Sequence, residues 1–192
     1  TLSNVNSAFS ADLKLLSTET ASGASSVSFT SGIDSTYDVY IFKFIDVNLS
    51  DQGANLTINF SSDGGSNYNM TKTTTYFGAY HQEDDSGTPA LQYEASHDLA
   101  QSTSYQRIPT DLSNASDANA DGNFYLFSPS STTYVKHFYS TFQWQGGNEG
   151  TGSNYSANAF IAGYVNSTSA VNAVDIKPDA GTMDGVIKMY GL

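Results

Sequence analysis

Short stretches of the chain alternate hydrophobic and polar residues, and turns rich in Gly, Asn, Asp and Ser separate these stretches. A period of two residues is typical of a β-strand with one buried face, and no segment sustains the period of an amphipathic helix. The sequence therefore predicts a single all-β domain, a jelly-roll-like β-sandwich of about ten strands. The ten stretches are residues 13–16, 27–29, 37–47, 56–60, 71–80, 124–127, 134–144, 159–165, 171–176 and 186–190, and the alternatives within 81–122 are short strands near residues 91 and 108.

Two of these stretches predict which residues face the core. The stretch 37–47 has the strongest pattern, and its alternation places Tyr40, Phe42 and Phe44 on one face of a strand. In the stretch 56–60, apolar and polar residues alternate strictly. That alternation predicts a strand with one face in the core and the other in solvent.

The rest of the chain is divided by its turn residues. Residues 81–122 contain two clusters of acidic and small polar residues, which predict long loops. Residues 1–12 are polar without a regular period and are interpreted as an N-terminal arm, followed by the sandwich domain at 13–192. The first residues resemble no secretion signal, so we expect synthesis in a cytoplasm.

Charge and cysteine content exclude several classes of function. The chain has 7 basic and 19 acidic residues, a net charge of −12. Binding to nucleic acid or to an anionic membrane requires clustered basic residues, whereas Arg107 is the one arginine and the lysines are scattered. We therefore expect neither as a partner. The absence of cysteine excludes disulfides, thiolate chemistry and cysteine-based metal sites.

Four stretches that join a turn to a strand carry a resemblance to a known family. They are residues 29–37 (FTSGIDSTY), 61–68 (SSDGGSNY), 128–138 (SPSSTTYVKHF) and 185–191 (GVIKMYG). In these stretches the chain resembles structural proteins of marine bacteriophage particles, of the cyanophage and pelagiphage type. The resemblance spans the chain from about residue 13 to the C-terminus. It implies a capsid decoration, a knob or a tail appendage on the virion surface, without cofactor or catalytic residues, whose partners are other capsid or tail proteins.

Aromatic residues are the strongest candidates for a binding surface. Exposed Tyr and Trp side chains stack on sugar rings or anchor protein interfaces. Trp144 is the first candidate because glutamines and two glycines surround it in the sequence. The other candidates are Tyr76, Tyr80, Tyr93 and Tyr105, which are expected near loops or strand ends. The alternative is that most of these rings close the core, as strand aromatics usually do.

One segment resembles half of a calcium-binding loop. Calcium prefers oxygen ligands at alternating positions of a loop with a glycine at its turn. Asp117, Asn119, Asp121 and Asn123 have this spacing, with Gly122 between the last two. Ser128 occupies the place of the bidentate glutamate, so a polar hairpin loop is the favoured interpretation. A calcium titration that leaves the melting temperature unchanged would exclude the site.

The sequence contains no recognised catalytic motif. It lacks a Gly-X-Ser-X-Gly elbow and a phosphate-binding Walker loop, and its three histidines are not at zinc-ligand spacing. The acidic run at 83–85 is expected to be a solvated loop rather than a catalytic pair. We therefore expect a protein that is not an enzyme; a hydrolase is a third hypothesis, which turnover of a polysaccharide or an ester would support.

The sequence thus leads to two functional hypotheses. The first is a non-enzymatic phage virion protein that assembles on the particle surface as a homo-oligomer, since an isolated sandwich exposes strand edges that assembly covers. The alternative is an extracellular carbohydrate-binding module, lectin-like, that recognises a glycan of the host surface through its aromatic residues.

Overall fold

A computed structural model describes residues 13–147 and 154–192 of the chain, so the predicted arm at 1–12 lies outside the described residues. The described residues form an all-β fold with one short 3-10 turn at Ala95–His97. The strands are β1 (Lys14–Ala24), β2 (Val27–Phe29), β3 (Val39–Leu49), β4 (Leu56–Ser61), β5 (Lys72–Gln82), β6 (Ala90–Tyr93), β7 (Gln106–Arg107), β8 (Ala120–Phe127), β9 (Lys136–Gly146), β10 (Tyr155–Val165), β11 (Ala173–Pro178) and β12 (Met183–Gly191).

The strands form two antiparallel sheets. The large sheet has eight strands in the order β1-β12-β3-β8-β9-β10-β5-β6, and the small sheet has four in the order β2-β11-β4-β7. Eight of the twelve strands pair as a rolled ribbon, with β1 on β12, β2 on β11, β3 on β8 and β4 on β7. These nested pairs are the strand order of a jelly roll, which confirms the predicted fold class.

The other four strands widen the large sheet beyond the jelly roll. Strands β9, β10, β5 and β6 follow β8 in that sheet, while the small sheet ends at β7. The chain after β7 covers part of this extension, because the Tyr76 hydroxyl donates to the Ile108 carbonyl (3.0 Å) and Leu112 bridges to Gly146. We call the face of the large sheet toward the small sheet its inner face, and the opposite one its outer face.

Phenylalanine rings from both sheets fill the space between them. Phe124 and Phe138 stack on the inner face of the large sheet, with ring centroids 5.2 Å apart. Phe60 of the small sheet packs against Phe138 at 5.4 Å, and Phe42 packs against Phe124 at 6.3 Å. Because all four side chains are almost completely buried, this cluster is the centre of the core.

Strand β4 differs from its prediction. All six of its residues are buried, including the polar Thr57, Asn59 and Ser61, so the expected solvent-exposed face is wrong. The chain folds back over that face and supplies hydrogen-bond acceptors: the Asn59 amide donates to the carbonyls of Tyr68 (2.6 Å) and Thr103 (3.0 Å). Polar residues at these positions indicate a covered, hydrogen-bonded surface rather than contact with bulk water.

The turn-rich range 81–122 agrees with its prediction in most of its length. It contains the last two residues of β5, all of β6, the 3-10 turn, the two-residue β7 and the first residues of β8, and most of the remaining residues form loops and turns. None of the helices in the described ranges is long and apolar enough to cross a membrane.

Candidate functional site

Three of the five predicted aromatic binding residues meet at one pocket. Tyr76, Tyr80 and Trp144 line a cavity of about 320 Å³ on the inner face of the extension. Tyr155 adds a fourth ring, with its centroid 5.9 Å from that of Tyr80. We call this cavity the inner pocket. Its polar walls come from the end of β6, the 3-10 turn and the segment after β7, namely Gln92, Glu94, His97, Thr110 and Asp111.

The inner pocket exists because small residues separate the large ones. Trp144 of β9, Ala157 of β10 and Tyr80 of β5 lie in one row across three neighbouring strands. Neighbouring strands are about 4.8 Å apart, so the backbones of Trp144 and Tyr80 are separated by about 10 Å. Ala157 leaves the space between the two rings open. In the next row Gly78 has the same effect, and a Cβ there would lie 2.5 Å from the Asn158 carbonyl oxygen.

Tyrosine hydroxyls and carboxylates form hydrogen bonds around the inner pocket. The Tyr155 hydroxyl donates to Oδ2 of Asp111 at 2.6 Å, and burial together with this bond raises the pKa of Tyr155 above its usual value. Burial raises the pKa of Tyr76 to about 12. Glu94 accepts a hydrogen bond from the Gln92 amide. Both tyrosines are therefore neutral donors at physiological pH, next to two carboxylate acceptors.

Two nitrogen atoms of residues that line the inner pocket have no hydrogen-bond partner among the described residues. They are the indole Nε1 of Trp144, whose side chain is only 6% exposed, and Nδ1 of His97. Burial lowers the pKa of His97, with a further contribution from Arg107, so the imidazole is neutral near pH 7. A buried polar atom without a partner costs about 1–3 kcal/mol, so such atoms call for an explanation.

The other two predicted aromatic residues lie elsewhere. Tyr105 lies on the face of the small sheet that points away from the large sheet. There its hydroxyl donates to Asp175 Oδ2 at 2.9 Å, and Lys177 Nζ lies 4.2 Å from its ring centroid. Tyr93 is 58% exposed and lies on the outer face of the large sheet, directly opposite Phe77. The structure therefore gives Tyr105 a packing role and places Tyr93 on a second surface.

That second surface is a ladder of aromatic rings across the outer face. Tyr125 stacks on Tyr139 (4.6 Å), Tyr139 on Phe160 (5.8 Å), and Phe160 packs on Phe77 (5.3 Å). We call Tyr125, Tyr139, Phe160, Phe77 and Tyr93 the outer aromatic face. It crosses five adjacent strands, about 20 Å at the usual strand spacing.

The outer aromatic face carries almost no charge. On β9, β10, β5 and β6 no outward-facing residue is Asp, Glu, Lys or Arg, in a chain whose net charge is −12. Its aromatic residues are half-buried or exposed, and Leu91 beside them is 79% exposed. This surface was not predicted from the sequence, although four of the predicted strands have aromatic residues at outward positions.

The predicted calcium residues do not form a loop. Strand β8 begins at Ala120, so Asp121 and Asn123 are strand residues, while Asp117 lies in the preceding turn. Asp121 Oδ1 accepts a hydrogen bond from the Asp46 amide (3.0 Å), and Asn119 donates to the Asp46 carboxylate (2.8 Å). An extended backbone spaces these side chains along the strand instead of around one point. Calcium binding stays a prediction for the titration given above.

The remaining titratable candidates also stay apart. In the described ranges no group of three or more His, Asp or Glu side chains is arranged to hold a metal ion. Asp85, the last residue of the acidic run at 83–85, lies 3.4 Å from His81 on an exposed turn. A solvated turn is the arrangement expected from the sequence.

Comparison with known proteins does not extend this description. No protein-family model matches the chain, and no curated protein matches it. The candidate sites are therefore the inner pocket and the outer aromatic face, each described by its own geometry.

Proposed function

We propose that the chain is a non-enzymatic structural protein of a phage particle, a capsid decoration, knob or tail appendage that assembles on the particle surface. The observation that carries this proposal is the outer aromatic face. An exposed patch of rings without charge is typical of an interface, and aromatic residues are enriched at interface centres. The turn-and-strand stretches that resemble phage structural proteins support the same assignment.

The distribution of charge favours assembly through this face in particular. With a net charge of −12, copies of the chain repel one another over most of their surface. The centre of the outer aromatic face brings no like charges against the next copy. The acidic residues near it lie at its margins: Asp121 on β8, Asp98 beside Tyr93, Glu83 beside Gln145 and Asp85 beside His81. The face crosses five adjacent strands, so a second copy can contact several of its rings at once.

The jelly-roll strand order supports the proposal as an analogy. Double-sheet jelly rolls occur in viral capsid and lectin domains, so this fold suits surface display but does not define a function by itself. The partners in this proposal are other capsid or tail proteins and further copies of the chain.

Replacing rings of the outer aromatic face is expected to weaken self-association. Central interface aromatics each contribute about 2 kcal/mol or more, so Tyr139→Ser or Phe160→Ser should raise the dissociation constant about 30-fold. Sedimentation velocity over a range of protein concentrations measures this change. Tyr134→Ser is the matched control, because Tyr134 is 73% exposed on a loop outside this face.

The same measurement tests the role of charge. Added salt screens the repulsion between acidic copies and leaves aromatic contacts intact, so association of the wild-type chain should strengthen as salt increases. Immunogold labelling of phage particles that contain the chain tests its location. A wild-type chain that stays monomeric at all salt concentrations and does not label particles would overturn the proposal.

A further inference from the structure

We infer that the inner pocket binds a sugar ring, a neutral ligand with several hydroxyl groups. This inference concerns a different surface from the outer aromatic face and does not depend on how the chain assembles. It rests on three properties of the inner pocket: its size, the arrangement of its rings and the hydrogen-bonding groups in its walls.

Size and shape suit a small ring. Ligand sites span about 300–1,000 Å³, and the inner pocket, at about 320 Å³, lies at the lower end. The open space above Ala157 has Trp144 on one side and Tyr80 on the other. A sugar ring that enters this space lies between two aromatic residues, and the C–H faces of sugars pack on aromatic rings.

The polar groups of the inner pocket include both donors and acceptors. Nε1 of Trp144 is a donor without a partner, and it has no acceptor capacity. The carboxylates of Glu94 and Asp111 are acceptors in the same walls. A hydroxyl group both donates and accepts, so adjacent hydroxyls of one ring satisfy both kinds of group.

Other classes of ligand fit less well. An anion is repelled by Glu94 and Asp111. An organic cation suits the rings and carboxylates, but it leaves the indole N–H of Trp144 without an acceptor. A purely apolar ligand removes water from two carboxylates and replaces none of their hydrogen bonds. The donor and acceptor pattern therefore selects a neutral polyol over these alternatives.

Trp144 makes the test specific, because it is the single tryptophan of the chain. Trp144 lines the inner pocket, so its fluorescence is expected to respond to binding there. Glucose, galactose, mannose and N-acetylglucosamine, each titrated to tens of millimolar, form the probe panel. We expect a saturable change in Trp144 emission with at least one of them, and saturation-transfer NMR provides a second readout for variants without tryptophan.

Two variants separate the rings from the hydrogen bond. Trp144→Phe keeps an aromatic ring and removes the N–H, and a lost hydrogen bond to a buried donor is expected to weaken binding about tenfold. Tyr80→Ala opens one side of the space and should weaken binding at least as much. Tyr134→Ala is the control and should bind like the wild type, while thermal melting verifies that each variant is folded.

Three outcomes would overturn the inference. The first is that no sugar of the panel gives a saturable signal by either readout. The second is that a sugar binds equally well to Trp144→Phe and Tyr80→Ala, which would place its site elsewhere. The third is that choline, titrated in parallel, saturates the site while the sugars do not, which would make it a cation site.

Discussion

The free energy of unfolding is expected to increase between about pH 7 and pH 10.5, because burial lowers the pKa of Lys72 from 10.5 to about 7. In that range the unfolded chain binds more protons than the native protein, so native stability rises with pH. A shift of this size corresponds to a total on the order of 5 kcal/mol, since each pKa unit is worth about 1.4 kcal/mol.

The surroundings of Lys72 explain why its charge is unfavourable. Its side chain is completely buried, and Nζ donates to Asn59 Oδ1 (2.6 Å) and to the Met70 carbonyl (2.8 Å). Among the described residues, the one ion pair within 4.0 Å joins His81 and Asp85, so no carboxylate offsets the charge of Lys72. An ammonium that loses water without gaining a counter-ion favours its neutral form.

Lys136 acts in the same direction. It is buried on β9, and both it and Lys72 lie directly opposite Val165 of the intervening strand β10. Desolvation lowers the pKa of Lys136, so its contribution to stability also increases with pH. Tyr76, whose pKa is raised from 10.0 to about 12, opposes the rise above pH 10 because its stabilising contribution is then progressively lost, and it reverses the trend above about pH 10.5.

Urea unfolding across this pH range measures the effect. Lys72→Met keeps an unbranched side chain, one atom shorter, that cannot titrate, so the variant should show a much smaller increase than the wild type. Lys14→Met is the control, since Lys14 is exposed on β1 and should leave the pH profile unchanged. A wild-type stability that is flat with pH, or a rise in Lys72→Met as large as that of the wild type, would contradict the assignment.

These lysines also mark what the sequence does not reveal. In β5 and β9, Lys72 and Lys136 occupy inward positions, which the alternating pattern assigns to apolar residues. Their burial depends on acceptors from other segments of the chain. Asn59 Oδ1 accepts from Lys72 Nζ at 2.6 Å, and the Ser167 carbonyl accepts from Lys136 Nζ at 3.0 Å. Strand β4 is wholly buried for a similar reason: the segments that cover its polar face are not adjacent to it in sequence.

Local pattern was sufficient where a strand has one apolar face. The positions of β3, β5 and β12 follow directly from their alternation, and the turn clusters place most of the loops between 81 and 122, although β8 begins at Ala120 rather than at Phe124 as expected. It was insufficient for β1, which runs over eleven residues although only residues 13–16 were expected. Strand β1 lies at the sheet edge, where most of its side chains are exposed or half-buried, so it lacks the apolar period.

The candidate sites could be predicted in part. Tyr80 and Trp144 were chosen for their sequence surroundings, and the structure brings both to the inner pocket. Glu94, Asp111 and Tyr155 were missed because they reach the pocket from three separate segments. Pairing of β10 with β5 and β9 places Tyr155, pairing of β6 with β5 places Glu94, and the segment after β7 brings Asp111. The outer aromatic face was missed for a different reason: aromatic residues in strands usually fill the core, so the other strand aromatics were not considered as a surface.

Two phenylalanines on β8, Phe124 in the core and Phe127 on the outer face, test whether the outer rings are separate from the core. Phe124→Ala is expected to lower the free energy of unfolding by about 3–5 kcal/mol, because the ring is completely buried against Phe138, Phe42 and Phe60 and its removal leaves a cavity. In a domain of this size the melting temperature should fall by roughly 10 °C. Denaturant unfolding at low protein concentration, where self-association does not contribute, measures the change.

Phe127→Ala is the matched control, since it makes the same deletion three residues along the strand on the outer face. Phe127 is half-buried and stacks on Tyr139 at 5.8 Å, a contact worth about 1 kcal/mol. Its removal should therefore change stability little but weaken self-association, because Tyr139 belongs to the outer aromatic face. Phe124→Ala should do the reverse and leave the dissociation constant of the folded protein unchanged. Equal losses of stability in the two variants would show that the outer rings belong to the core, and the assembly proposal would lose its surface.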